Sequence, residues 1–166
     1  MNVTAWLVEG TWPACVDALR AHAPDGAALT LLHVSDPDVP GVAHGAFAGL
    51  LGRARAGHDP GSAVEGMEAE SAAGLLAEAA ERLGLPCERR AVTGRAERAV
   101  VAACRDADLL VLARDGERDR LGPRSLGPAS RFVVDHAPCQ VLLVWPERAP
   151  DVTTLPPEPP EPPQRR

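Results

Sequence analysis

Asp108-Leu109-Leu110-Val111-Leu112-Ala113-Arg114-Asp115-Gly116 is a short unbroken apolar run closed by charge and a glycine. A run apolar at every position, rather than at alternate ones, predicts a strand covered on both faces. Its neighbours repeat the theme. Ala96 to Cys104 carries Val100 and Val101 at helical spacing ahead of it. Beyond the Arg-rich loop, Ala129, Phe132, Val133 and His136 fall at i, i+3, i+4 and i+7, predicting a helix over 128–136 with His136 on its inward face. Val141-Leu142-Leu143-Val144 then predicts a last strand.

The N-terminal half has the same alternation. Val3 to Val8 is an apolar run ended by Glu9-Gly10-Thr11, and Trp12 to His22 reads as a helix with Pro13 tolerated in its first turn. Ala28 to Val34 predicts a second strand, and Ser35-Asp36-Pro37-Asp38 breaks it. Glu65 to Leu83 predicts a helix with Met67, Leu75, Leu76, Ala79 and Leu83 on one side. Gly84 stops it, and Cys87 to Val92 follows as an edge-like strand. The connection over 39–66 is long and rich in Gly, Pro and Ala; a short helix over 44–53 is expected in it, with His44 and Phe47 as a possible lid. Alternating strands and helices predict an α/β fold: an open parallel sheet with helices on both faces.

The chain has 166 residues, 45% hydrophobic, with a net charge of −6, which is enough apolar material for one domain. Lys, Ile and Tyr are absent and all 17 basic residues are Arg, a bias expected from a GC-rich bacterial gene. The acidic balance disfavours a nucleic-acid partner. No apolar run approaches the ~20 residues of a membrane span, and no basic segment leads a cleavable apolar stretch, so a cytoplasmic protein is expected. Cys15, Cys87, Cys104 and Cys139 lack disulfide-like or zinc-like spacing and read as core thiols. The domain is expected to span 1–146. Residues 147–166 form a Pro-rich tail, expected to be disordered or polyproline-like.

In an open parallel sheet, ligands bind beyond the carboxyl ends of the strands where the winding reverses. Two segments meet that description: Val8-Glu9-Gly10-Thr11, and Ala113 through Ser130. In the second, Gly116 frees backbone amides, and Gly127 precedes a helix whose N-terminal amides suit an anion. Arg114, Arg118, Arg120, Arg124 and Arg131 outnumber Asp115, Glu117 and Asp119, giving a local +2. Arg forks match phosphate oxygens, although the same residues would also pair with one another in an exposed loop. There is no Walker A motif, no G-x-S-x-G elbow and no H-E-x-x-H helix, so a non-enzymatic protein is expected.

Glu9-Gly10-Thr11, Leu32-His33-Val34, Asp108 to Gly116, Leu126-Gly127 and His136-Ala137-Pro138-Cys139-Gln140-Val141-Leu142-Leu143-Val144 together resemble the universal stress protein family. The similarity spans about residues 1–146. It implies a five-stranded, Rossmann-like parallel sheet in the order 3-2-1-4-5, a homodimer using the last strand (Val141 to Val144), and a stress-response regulator. It also implies ATP or another adenine nucleotide, with Mg, at the switch point. The implied ligand contacts are Glu9 and Val34 near adenine, and Ala113, Gly116, Gly127, Pro128 and Ala129 along the phosphate loop. Arg124, Ser125 and Ser130 are expected as further phosphate ligands. The family loop follows G-x2-G-x9-G-S/T. Here Ala113 replaces the first Gly, ten residues separate Gly116 from Gly127, and Pro128 replaces Ser or Thr, removing a hydroxyl and an amide donor. Two readings therefore stand: a nucleotide-binding regulator, with an unknown regulatory protein as a further partner, or a dimeric adaptor without the nucleotide pocket.

Overall fold

The computed structural model describes residues 1–35 and 60–157, with 60–65 described in backbone alone. In chain order the elements are β1 (Asn2–Leu7), α1 (Trp12–His22), β2 (Ala28–Ser35), α2 (Pro60–Leu83) and β3 (Glu88–Thr93). They continue with α3 (Ala96–Ala103), β4 (Leu109–Ala113), α4 (Pro128–His136) and β5 (Gln140–Val144). Two 3-10 turns, Pro123–Ser125 and Val152–Thr154, lie before α4 and after β5. The strands are all parallel, as the α/β reading anticipated, and stand in the order β3-β2-β1-β4-β5 that the family resemblance implied. The expected helix over 44–53 and the lid role of His44 and Phe47 lie outside the described residues.

Strand alternation feeds two cores. Val3, Ala5 and Leu7 of β1 pack with Leu31 and Val111 on the side covered by α1 and α2. Trp6 joins Leu32, Leu110 and Leu112 on the side covered by α3 and α4, where Val100 and Val133 enter. A strand with apolar cover on both faces has no reason to alternate, which explains the unbroken run in β4. Across the first surface, Arg82 of α2 donates from Nε (2.8 Å) and Nη2 (2.7 Å) to the Asp17 carboxylate of α1. That guanidinium holds the Asp17 carboxyl below its ordinary range.

The two sheet edges differ. β3 exposes Glu88, Arg89 and Arg90, charges that discourage pairing with another strand. β5 presents Val141 to Val144, all half-buried and apolar.

Two sequence expectations are corrected. Met67 is 70% exposed rather than on the inward stripe. At 3.6 residues per turn it points about 140° away from the face set by Ala72, Leu75, Leu76, Ala79 and Leu83. His136 is exposed rather than inward. Its ring stacks on Phe132 with centroids 4.0 Å apart, and Nδ1 lies 2.8 Å from the Phe132 carbonyl oxygen, so the last turn of its own helix holds it.

The start of the tail touches the domain. Thr154 Oγ1 accepts from the Leu121 N–H (3.0 Å) and donates to the Asp151 carbonyl (2.7 Å), tying 151–154 to the Arg-rich loop. Val152 and Leu155 remain exposed, so this contact adds no core. Residues 158–166, which hold most of the Pro-Glu repeat, are outside the described part.

All four cysteines are free. Burial pushes the Cys15 and Cys104 thiols each up to about 12. The thiolate is the reactive form, so at about pH 8 these two are expected to label with a thiol reagent roughly three orders of magnitude more slowly than an exposed cysteine. Mass spectrometry of timed labelling checks this; rapid native modification of Cys15 would contradict it. Among the described residues no helix is long and apolar enough to cross a membrane, and no group of His, Cys, Asp or Glu is placed to hold a metal ion.

Candidate functional site

The sheet order puts the winding reversal between β1 and β4. Ala5 stands opposite Val111, so continuing the register sets Leu7 level with Ala113 and Glu9 level with Asp115. Leu7 stands opposite His33, which sets Val8 level with Val34. The residues expected near adenine and those expected near phosphate therefore leave neighbouring strands at the same end of the sheet.

Gly10, at φ 76°, makes the turn from β1 into α1. Glu9 beside it is exposed, and its Oε1 accepts from the Ser71 hydroxyl of α2 (3.5 Å). Val34 is half-buried in β2, opposite Val92. Between them His33 places Nδ1 2.9 Å from the Leu7 carbonyl oxygen.

The loop after β4 folds back on itself. Gly116 N–H donates to the Ser125 carbonyl (3.0 Å) and Glu117 N–H to the Arg124 carbonyl (2.8 Å), closing 117–124 as a loop. A Cβ on Gly116 would overlap the Arg124 carbonyl oxygen and lie 2.9 Å from the Ser125 carbonyl carbon, so only glycine fits this crossing. Ala113 is buried at the end of β4. Gly116, Arg124, Gly127 and Pro128 border one open groove of about 660 Å3 that continues past Phe132 along α4. Glu9 and Val34 do not line it.

The arginines are largely engaged with the protein. Arg124 lies 3.6 Å from Glu117 and Arg118 lies 3.8 Å from Glu147, both exposed pairs of small energetic value. Arg131 donates to the Pro123 carbonyl. Arg114 turns inward: its guanidinium stacks 4.6 Å from the Trp145 ring centroid and donates to the Ser125 hydroxyl. Its Nε is buried without a hydrogen-bond partner among the described residues, so the cation–π contact carries part of its cost. Ser125 is buried and donates to the Gly122 carbonyl (2.7 Å).

Asp115 is the residue that sequence reasoning missed. Its Oδ1 accepts from the Gly127 N–H (2.8 Å) and its Oδ2 from the Ser130 hydroxyl (2.9 Å). A carboxylate thus occupies the N-terminus of α4, where the dipole and the amide donors favour negative charge. Ser130, expected as a phosphate ligand, is buried with its hydroxyl on this carboxylate. Ala129 is half-buried and Pro128 exposed beside it. One signal was legible: Gly127 at the N-cap has no side chain and makes no side-chain cap, so the cap had to come from elsewhere in the chain.

The parallel sheet in the order β3-β2-β1-β4-β5, with a glycine loop and the Asp115 carboxylate after β4, defines an open α/β fold of the Rossmann-like class. The family model described as universal stress protein family matches residues 9–144, and the chain belongs to that family. Among solved structures, hypothetical protein MJ0577 is similar at 16% identity and TM-score 0.66, over 89% of this chain and 97% of that one. A universal stress protein in complex with cAMP is similar at 20% identity and TM-score 0.58, over 89% and 98%. A universal stress protein family protein from Arabidopsis thaliana with AMP bound gives 18% and 0.54, over 94% and 95%. No curated protein matches the chain by sequence.

Proposed function

We propose that this universal stress protein family member is a non-enzymatic stress-response regulator that takes an adenine nucleotide at the switch point between β1 and β4. The observation that carries this reading is the anion already held there: the Gly127 amide and Ser130 hydroxyl converge on a carboxylate. A phosphate group makes the same demand on those donors. The two relatives whose structures hold cAMP and AMP support the adenine end, for which Glu9 and Val34 stand at the neighbouring strand ends. The residues fit a phosphate only once Asp115 has swung out. Mg would arrive with the nucleotide. β5 is the proposed homodimer edge, because its apolar residues 141–144 are only half-buried. A monomer by sedimentation at micromolar concentration would remove that part.

Calorimetric titration of nucleotide-free protein with AMP and with Mg-ATP is expected to give binding at about 100 μM or tighter, roughly −5.5 kcal/mol. Binding is expected to weaken as salt screens the phosphate contacts. Glu9→Ala is expected to weaken AMP about fivefold, the worth of one hydrogen bond of ~1 kcal/mol. No heat with either nucleotide would favour the second reading, a dimeric adaptor without the pocket. The observation behind that reading is Arg114 and Asp115, whose side chains close the phosphate end from within.

A further inference from the structure

Helix α4 opens with Gly127, which has no side chain to cap it, and Pro128, which has no N–H to be capped. Asp115, twelve residues earlier, does the capping with both oxygens. Gly127 leaves room for this arrangement. A Cβ there would lie 3.0 Å from one carboxylate oxygen of Asp115 and 3.1 Å from the other, tighter than ordinary contact. The arrangement also draws on the closed loop, because the Gly116–Ser125 hydrogen bond positions the residue next to Asp115.

We infer that Asp115 is a specificity-determining residue of the proposed nucleotide site: a built-in competitor that any phosphate group must displace from the Gly127 amide and the Ser130 hydroxyl. This rests on the adenine-nucleotide reading above. Competition follows from identity of donors. A carboxylate and a phosphate cannot both accept from one N–H and one O–H in the same direction, and their like charges repel at contact distance. The carboxylate is tethered, so it competes at the high effective concentration of an intramolecular ligand. The apparent affinity for a phosphate is then the intrinsic affinity scaled by the fraction of molecules whose Asp115 has left. Adenosine, which carries no phosphate, escapes the competition. Asp115 therefore lowers the advantage of phosphorylated over unphosphorylated adenine ligands.

The test compares wild type and Asp115→Ser by calorimetry with AMP, adenosine and inorganic pyrophosphate. Asp115→Ser removes the competing charge and is expected to bind AMP and pyrophosphate at least about tenfold more tightly, with adenosine unchanged. Equal AMP and pyrophosphate affinities in the two proteins would overturn the inference. A gain for pyrophosphate with no binding of AMP or adenosine by either protein would uphold the competition and sink the adenine reading. In the wild type, the Gly127 amide resonance is expected to shift on adding pyrophosphate, reporting exchange of one anion for another. Should the serine variant fail to fold, Asp115→Ala removes both competing acceptors and is expected to show the same direction of change; its failure to do so would overturn the inference equally.

Discussion

Gly116→Ala is expected to destabilise the domain by about 2–3 kcal/mol, lowering the midpoint of thermal unfolding by roughly 5–10 °C. The new methyl group would overlap the Arg124 carbonyl oxygen, which is backbone and has no rotamer to yield. Relief requires opening the closure made by the Gly116 and Glu117 amides on the Ser125 and Arg124 carbonyls. Each lost hydrogen bond costs about 1 kcal/mol, and the reduced freedom of the unfolded alanine chain returns only about half of one bond. The damage also reaches the anion site, because Asp115 adjoins Gly116, so loss of Gly127 amide protection from hydrogen exchange is expected alongside. Gly74→Ala is the control: it sits exposed in α2 with nothing within 4 Å of the added carbon. Helix propensity makes that change stabilising by up to about 1 kcal/mol. Urea unfolding of the two variants checks the sign of each, and a Gly116→Ala protein as stable as wild type would mean the loop closure carries no constraint.

Leu110→Ala is expected to cost about 3 kcal/mol, within the usual 2–5 kcal/mol for a buried leucine cut to alanine. Leu110 is fully buried in β4 and faces the core under α3 and α4, with β1 and β5 on its two sides. Neither neighbouring strand can collapse into the space without breaking its ladder. Leu31→Ala makes a comparable hole in the opposite core, under α1 and α2. The sheet separates the two, so the double variant is expected to lose the sum of the single costs to within about 0.5 kcal/mol. A larger coupling in equilibrium unfolding would show that the two cores relax together through the sheet.

Much of the architecture was legible because burial on both sheet faces writes itself into composition. The runs at 3–8, 28–34, 109–112 and 141–144 have no polar face to offer, and the boundaries found differ from the expected ones by about a residue. α1 and α4 span Trp12–His22 and Pro128–His136, the ranges expected from their apolar spacing and from Pro13 and Pro128 in their first turns. Met67 was misjudged against its own spacing, which turns it about 140° from the stripe, and His136 because spacing assigns residues to a stripe without saying where the stripe ends. His136 satisfies the spacing, yet it is exposed, its ring stacked on that of Phe132.

By itself the sequence determined the order of strands and helices, the two-sided core and the family resemblance, because each depends on periodicity and on residues close together in the chain. The tertiary structure alone decided what occupies the end of α4. Asp115 and Gly127 stand twelve residues apart, and their contact exists only because the loop between them closes through the amides of Gly116 and Glu117. Arg114 counted in the sequence as one more cation for a ligand; packing turned it onto Trp145, beyond β5 and 31 residues away. Charge is a property that composition records. Its direction depends on which surfaces the fold brings within a few ångströms, where a carboxylate and a set of amide donors attract too strongly to stay apart.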